Sequence, residues 1–231
     1  MKVILSRKGF DAEAGGYPSP ILPDGTLLSI PIPSTYTNIF YARINASPKL
    51  TYYQIMIQLN PRIKTGRPGE VGNWKRLTPK SACHFDPDIF KSTYIRKPGW
   101  RGLFGQAFAA QTHLEKQDVK VGDLFLFFGL FQKTLLRNGH FVFDPFSKSI
   151  HIIYGYLEIG RIHTVNSMRN IPRWMKYHPH AIYNYPKNTI YEASKYFSLN
   201  PKFPGYGRFN YAASLVLSKP GYNKSQWQLP R

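Results

Sequence analysis

Hydrophobic positions along the chain fall into short runs of β period, separated by polar, glycine- and proline-rich stretches, with two windows of helical period. Residues 2–5 (Lys-Val-Ile-Leu) are rich in β-branched side chains and stop at Ser6-Arg7-Lys8-Gly9, which predicts an opening buried strand and then a loop. The loop continues through Gly15-Gly16-Tyr17-Pro18-Ser19-Pro20. Pro23-Asp24-Gly25 is a turn signature, and residues 26–30 read as a hairpin arm. Ser47-Pro48 signals a helix start, and the apolar residues at 50, 53, 56 and 57 share one helical face that ends near Asn60-Pro61. Residues 61–101, rich in proline, glycine and basic side chains, read as a long functional loop. A second helix is predicted over Phe104 to Lys116. Strands follow from Val121-Gly122-Asp123 through Phe128, at Phe141-Val142-Phe143 and from Ile150 to Val165, an antiparallel meander. Pro172 to Met175 reads as a short helix, and residues 180–231 as irregular apart from a strand at Ala213 to Leu217.

The pattern is α+β: a curved antiparallel sheet with a few helices. It predicts a single domain over 1–231, with a basic, irregular C-terminal part from about residue 166. Lys120 to Phe128 and Tyr154 to Ile162 pair a Gly-Asp turn into a strand with a glycine-containing returning strand. This looks like the core of PUA-like small barrels, including the ASCH and EVE groups, which bind RNA or modified bases. Any antiparallel sheet entered by a Gly-Asp turn carries the same pattern.

Composition narrows the class. With 42% hydrophobic and 16% aromatic residues, the chain has ample apolar surface for a core, and intrinsic disorder is excluded. Lys and Arg number 31 against 12 acids, a formal net charge of +19. Such one-sided charge suits a polyanionic partner, because each neutralised phosphate releases counterions. The bias is steepest in residues 160–231, where eleven Lys or Arg face one acid, Glu192. Trp174, Tyr177, Tyr183, Tyr185, Tyr191, Tyr196 and Phe197 are interleaved there, a mixture able to track phosphates and stack bases, or simply to cover a loop-rich region. The partner expected is nucleic acid or a nucleotide. A lone cysteine, Cys83, excludes a disulfide framework and fits a reducing, cytoplasmic setting. The longest apolar run, Leu124 to Phe131, is too short for a bilayer, which needs about 20 residues, so no membrane partner is expected.

The densest polar and aromatic cluster is Gly99-Trp100-Arg101-Gly102-Leu103-Phe104-Gly105-Gln106, followed by Gln111-Thr112-His113. Its glycines allow backbone to approach a ligand. Trp100 offers a stacking face, Arg101 a phosphate fork and Gln106 a donor and acceptor for a base edge; Gln106 and His113 fall on the same face of the predicted helix. In Ser6-Arg7-Lys8-Gly9-Phe10-Asp11, Arg7 and Lys8 can hold a phosphate and Asp11 can orient them or act as a base, although a solvated charged turn would read the same way. His84-Phe85-Asp86 has the spacing of half a two-histidine, one-carboxylate metal site, to be completed by His140, His151 or His163. Asp86-Pro87 reads more simply as a helix N-cap with proline in the first turn. His178-Pro179-His180, without a third ligand, reads as polar surface. No metal site is therefore assigned, and the cofactor stays open. Too few cysteines are present for a zinc deaminase, and Walker, dinucleotide-binding and Gly-x-Ser-x-Gly patterns are absent.

Ile4 to Asp11, Pro18 to Gly25, Gly99 to His113 and Val121 to Gly129 together resemble one family, the third of the nucleotide-modification-associated domain families of bacteria and phages. The resemblance covers residues 1–129 in order and is looser beyond, so the basic C-terminal third reads as particular to this protein. It implies a role in nucleic-acid base modification and names no reaction. The family's polar positions that match are Ser6, Arg7, Lys8, Asp11, Asp24, Arg101, Gln106, Gln111 and His113. With Trp100 added, the candidates are Asp11 and His113 for proton transfer, and Ser6, Arg7, Lys8, Asp24, Trp100, Arg101, Gln106 and Gln111 for substrate binding. Two functions compete: an enzyme that modifies a base, and a non-catalytic reader of modified bases. A basic structural subunit is the third.

Overall fold

The computed structural model describes residues 1–11, 14–65, 75–165, 170–182 and 185–229. In chain order the elements are β1 (Val3–Arg7), β2 (Ser19–Ile21), β3 (Asn45–Ser47), β4 (Leu50–Thr51), α1 (Tyr52–Leu59), β5 (Lys64–Thr65), β6 (Lys75–Arg76) and β7 (Leu103–Gln106). There follow α2 (Phe108–Lys116), β8 (Leu124–Arg137), β9 (His140–Phe143), β10 (Ile150–Thr164), α3 (Pro179–Ile182), β11 (Thr189–Ala193) and β12 (Tyr206–Arg208). Eight strands form one mixed, mostly antiparallel sheet with the order β1-β8-β10-β11-β7; β2 and β9 also pair with β8, and β12 with β10. The α+β expectation therefore holds. The order is open at β1 and β7, and no closed barrel is found among the described residues.

The Gly-Asp turn sets the register of the spine. Asp123 Oδ1 accepts the Lys2 amide at 2.7 Å and Oδ2 the Lys120 amide at 3.0 Å, tying the chain start to the start of β8. From there β1 runs parallel to β8, Val3 against Leu124 to Arg7 against Phe128. The apolar run Leu124 to Phe131 then supplies Phe125, Phe127 and Phe131 to a core shared with Phe104, Tyr154, Leu157, Ile159 and Tyr191. A second core packs α1 and its flanking loops: Phe10, Leu28, Ile30, Tyr41, Ile44, Ile55, Met56, Cys83 and Phe85.

Several local expectations are corrected. The opening strand is not buried: Val3 is 59% and Leu5 40% exposed, because β1 is an edge with β8 as its neighbour. The first helix begins at Tyr52 rather than at Ser47-Pro48. Thr51 and Gln54 form a reciprocal capping box, and residues 45–51 make the short β3–β4 pair. The predicted helix over Phe104 to Lys116 is two elements, β7 and α2, since Leu103 to Gln106 pair with β11; Gln106 and His113 share no helix face. Pro172 to Met175 are turns, with the short α3 later. Ala213–Leu215 form a 3-10 turn, and the strand expected there is reduced to an isolated bridge from Val216 to Ile152. Among the described residues no helix is long and apolar enough to cross a membrane.

Candidate functional site

The segment 84–88 leads into the sheet beside β7. Asp88 and Leu103 exchange both backbone hydrogen bonds at 2.8 Å, which docks Asp88 on the start of β7. Two fully buried aspartates stand here, Asp86 and Asp88, and they meet opposite circumstances. The helix cap expected at Asp86-Pro87 does not form. The peptide bond is cis, no helix follows, and the Asp86 carboxylate turns to β7, where its Oδ1 accepts the Gly105 amide at 2.8 Å.

Asp88 is saturated. Arg96 grips both carboxylate oxygens, with Nη2 2.5 Å from Oδ1, and the Tyr177 hydroxyl donates to Oδ2. The Trp100 indole N–H is 2.7 Å from the Tyr177 oxygen and 3.3 Å from Asp88 Oδ2, and the Arg96 guanidinium lies 4.0 Å over the indole. A buried charge with this many donors is a structural tie.

Asp86 is surrounded but not saturated. Its Oδ2 finds no hydrogen-bond donor among the described residues. Lys8 Nζ stands 3.6 Å and His84 Nε2 3.9 Å from Oδ2, while His178 Nε2 lies 3.2 Å from Oδ1 without making a hydrogen bond. His180 completes the group: its ring is 5.2 Å from that of His84 and 5.9 Å from that of His178. The ligand atoms of His84, Asp86 and His180 all lie within 4.8 Å of one another. Asp86, His178 and His180 are buried, whereas the side chains of His84 and Lys8 are 22% and 18% exposed. The cluster thus meets the surface at those two side chains.

Each member is held by a recognisable local feature. Lys8 continues the line of β1: its amide donates to Phe128 O at 2.9 Å, and a Cβ on Gly129 would come within 2.6 Å of the Lys8 carbonyl, so that position admits only glycine. The ammonium then passes 4.5 Å over the Phe104 ring. His180 sits in the first turn of α3, its Nδ1 2.8 Å from Asn188 Oδ1, while Asn188 Nδ2 donates to the His180 carbonyl at 2.6 Å. That pairing puts the His180 proton on Nδ1 and leaves Nε2 with its lone pair. The ring packs against Gly105, whose missing Cβ would be 2.2 Å from His180 Cδ2.

Burial shapes the charges. It pushes the His84 and His180 imidazoles below their ordinary range, His180 to about 4, despite the nearby Asp86 charge. Both are neutral at neutral pH. Burial likewise lowers the Lys8 ammonium, with Asp86 opposing. For Asp86 burial acts upward, but Lys8 first and then His178 and His180 outweigh it and hold the carboxyl well below the usual range. A buried carboxylate beside two neutral imidazoles is a donor set for a cation or an acid–base pair for a substrate.

The sequence-derived candidates distribute unevenly around this centre. Lys8 is in it. Gly105, in the glycine frame, forms its floor, so the loop after β1 and the segment from Gly99 do meet, at Asp86. Ser6 and Arg7 lie on β1; Arg7 is 43% exposed and pairs with Asp11 at 2.9 Å. Arg101, 40% exposed, pairs with Glu192 at 3.5 Å, and Gln106 ends β7 opposite Thr189. Trp100 is buried with its indole face under Arg96, Gln111 is buried and accepts the Tyr191 hydroxyl, and Asp24 caps its own turn through the Thr26 amide. Asp11 accepts the Ala14 amide, and His113 is exposed on α2. Of the three histidines expected to complete a metal site, none does: His140 is exposed at the start of β9, His151 packs on Trp227, and His163 pairs with Glu192 at 2.9 Å. The completing residue is His180. His-x-Asp and His-Pro-His each showed half of the arrangement, and only the fold joins them.

A family model described as nucleotide modification associated domain 3 matches residues 2–231. The chain belongs to that family. The match runs through the basic C-terminal third, which is therefore part of the family domain rather than particular to this protein, and His178 and His180 lie within it. The chain matches no curated protein and no solved structure.

Proposed function

We propose that this protein binds a nucleic acid or nucleotide and modifies a base, with the chemistry at Asp86, His84, His180 and Lys8. The observation that carries this reading is the Asp86 Oδ2 atom, buried, charged and without a hydrogen-bond donor, beside the part-exposed side chains of His84 and Lys8. Leaving a buried acceptor unpaired costs on the order of 1–3 kcal/mol and more when it is charged, so such a group favours a bound partner over a purely structural role. Membership of a nucleotide-modification-associated family and a charge of +19 supply the context for a phosphate-bearing substrate. Arg7, Arg101 and Gln106 are assigned to substrate contact as exposed or half-buried groups on or next to β1, which leads to Lys8, and β7, which carries Gly105; Ser6 precedes Arg7 on β1. Trp100, Gln111 and Asp24 are assigned to the scaffold, and Asp11 and His113 are left out of the chemistry.

The test has two arms. Binding of a mixed-sequence oligonucleotide across a salt series should weaken steeply with salt, and a flat slope overturns the polyanion part. Total nucleosides from DNA and RNA of cells expressing the protein are then compared, by mass spectrometry, with those of cells expressing Asp86→Asn. A new nucleoside that disappears in the variant supports base modification, and identical profiles count against it.

A further inference from the structure

We propose that His84, Asp86 and His180 form a binding site for one divalent first-row transition metal ion. The proposal goes beyond the reading of base modification and does not depend on it, since it concerns the purified protein and a metal alone. Three donors of the right kinds converge from two remote parts of the chain, with ligand atoms within 4.8 Å of one another. Donors on one such ion sit about 2.0–2.2 Å from it and hence roughly 3–3.5 Å apart, a contraction to be supplied chiefly by the part-exposed His84 side chain. Two imidazoles and one carboxylate select a borderline cation such as zinc, iron(II), cobalt or manganese over magnesium or calcium, which prefer all-oxygen shells.

A second, independent observation points to a ligand: Asp86 Oδ2 is buried and has no hydrogen-bond donor. The other oxygen is oriented by the Gly105 amide at 2.8 Å and faces His178 at 3.2 Å, as the outer partners of a metal-binding carboxylate do. His180 repeats that arrangement, since its Nδ1 is tied to Asn188 and its Nε2 is left for a metal. Asn188 thus fixes the His180 ring and the Gly105 amide the Asp86 carboxylate, and the ligand atoms of both lie within 4.8 Å of that of His84. His178 fits the outer position better than a ligand position. Its Nδ1 accepts the His180 amide at 3.4 Å, which puts the proton on Nε2 and leaves no lone pair there for a metal.

Lys8 is the competing occupant. Its ammonium is 3.6 Å from Oδ2, at the side from which a cation would enter, but it makes no hydrogen bond there and sits on a flexible stem that is 18% exposed. It can swing outward when the metal enters. Removing its charge therefore strengthens metal binding rather than weakening it.

The experiment uses the whole chain, stripped of metal with chelator, and cobalt(II) as the probe, followed by equilibrium dialysis and visible absorption. One equivalent bound per chain is expected, at least tenfold weaker in His84→Ala and in Asp86→Asn, tighter in Lys8→Met, and unchanged in His140→Ala, which removes an exposed histidine. Absence of saturable binding, binding lost in His140→Ala but kept in His84→Ala, or weaker binding in Lys8→Met overturns the proposal. Should the site variants fail to fold, X-ray absorption of the zinc-loaded wild-type chain decides. Two imidazoles with oxygen ligands support the site, and fewer than two imidazoles refute it. A chain that binds cobalt yet leaves cellular nucleosides unchanged would keep the metal site and remove base modification; the converse result would do the reverse.

Discussion

Replacing Asp86 and Asp88 separately by Asn separates the functional from the structural carboxylate. Both side chains are completely buried and stand two residues apart, so burial is matched, and how firmly each carboxylate is hydrogen-bonded is what differs. In Asp88→Asn the Arg96 guanidinium, 6% exposed, keeps its place and loses its counter-charge, while the Tyr177 hydroxyl and Trp100 indole lose an ionised acceptor. Breaking one side of a buried pair costs about 3–5 kcal/mol. At about 2–4 °C per kcal/mol for a chain of this size, the melting temperature should fall by roughly 6–20 °C. In Asp86→Asn the amide oxygen still accepts the Gly105 N–H, and what is lost is the 3.6 Å approach of a lysine with its own access to water. Because the Lys8 side chain is 18% exposed and can carry its ammonium outward, the loss should stay below the roughly 3–5 kcal/mol of a pair buried at both ends, and the melting temperature should fall less than in Asp88→Asn. Paired urea and thermal denaturation of the two variants, with cobalt affinity measured on each, reads both quantities. Stability should fail in Asp88→Asn and metal affinity in Asp86→Asn. If Asp86→Asn unfolds as readily as Asp88→Asn, Asp86 is a structural ion pair and the assignment built on its unpaired oxygen is wrong.

Gly105→Ala places a Cβ 2.2 Å from the His180 ring, which Asn188 prevents from retreating, so overpacking of about 1–3 kcal/mol should accompany a loss of cobalt affinity; a variant with unchanged melting and unchanged affinity refutes the packing of His180 on Gly105. Trp100→Ala should cost about 3–5 kcal/mol of folding, because the indole is buried between Arg96 and Tyr206, whereas Arg101→Ala, at a 40% exposed pair, should change stability by less than about 1 kcal/mol; equal melting temperatures would contradict this. Burial pushes the Asp123 carboxyl upward, but the Lys2 and Lys120 amides bonded to it prevail and hold it below its usual range. A depressed carboxylate contributes stability that is present above its unfolded value, about 3.9, and lost as pH falls through the folded one. Wild type should therefore exceed Asp123→Asn in stability at neutral pH and lose that margin on acidification below about pH 4, and a margin constant down to pH 2 counts against it.

The parts of the fold that were legible are those in which local pattern and tertiary contact agree. The Gly122-Asp123 turn, the apolar run of β8 and the returning strand β10 carry their period and their punctuation in the sequence, and they pair as expected. Where tertiary pairing competes with local preference, the reading failed. Leu103 to Gln106 has the composition of a helix start, yet β11 offers it a ladder of four residue pairs, and the helix is delayed to Phe108. The exposure of β1 could not be read either, because Val-Ile-Leu gives the same signal at an edge as in the centre of a sheet.

The site failed to appear in the sequence for a related reason that bears on how it works. Asp86-Pro87 and His178-Pro179-His180 are about ninety residues apart, and each has an ordinary local meaning: a cap and a polar turn. In the fold neither serves that meaning at the atoms that matter, since the Asp86 carboxylate leaves its own backbone for the Gly105 amide and the His180 ring leaves α3 for the surface of the same glycine. Gly105 is the point at which the two half-motifs are brought together, and it stands on β7, whose position depends on β11 and, through β11, on the long strand β10. The donors are therefore assembled only when the sheet is complete. An unfolded chain offers isolated histidines, and the folded one offers a convergent set, so a metal ion bound there binds the native state preferentially and must stabilise it by mass action. Cobalt should raise the melting temperature of the wild-type chain in proportion to the logarithm of its concentration above the dissociation constant, and that rise should vanish in Gly105→Ala even though no ligand has been removed.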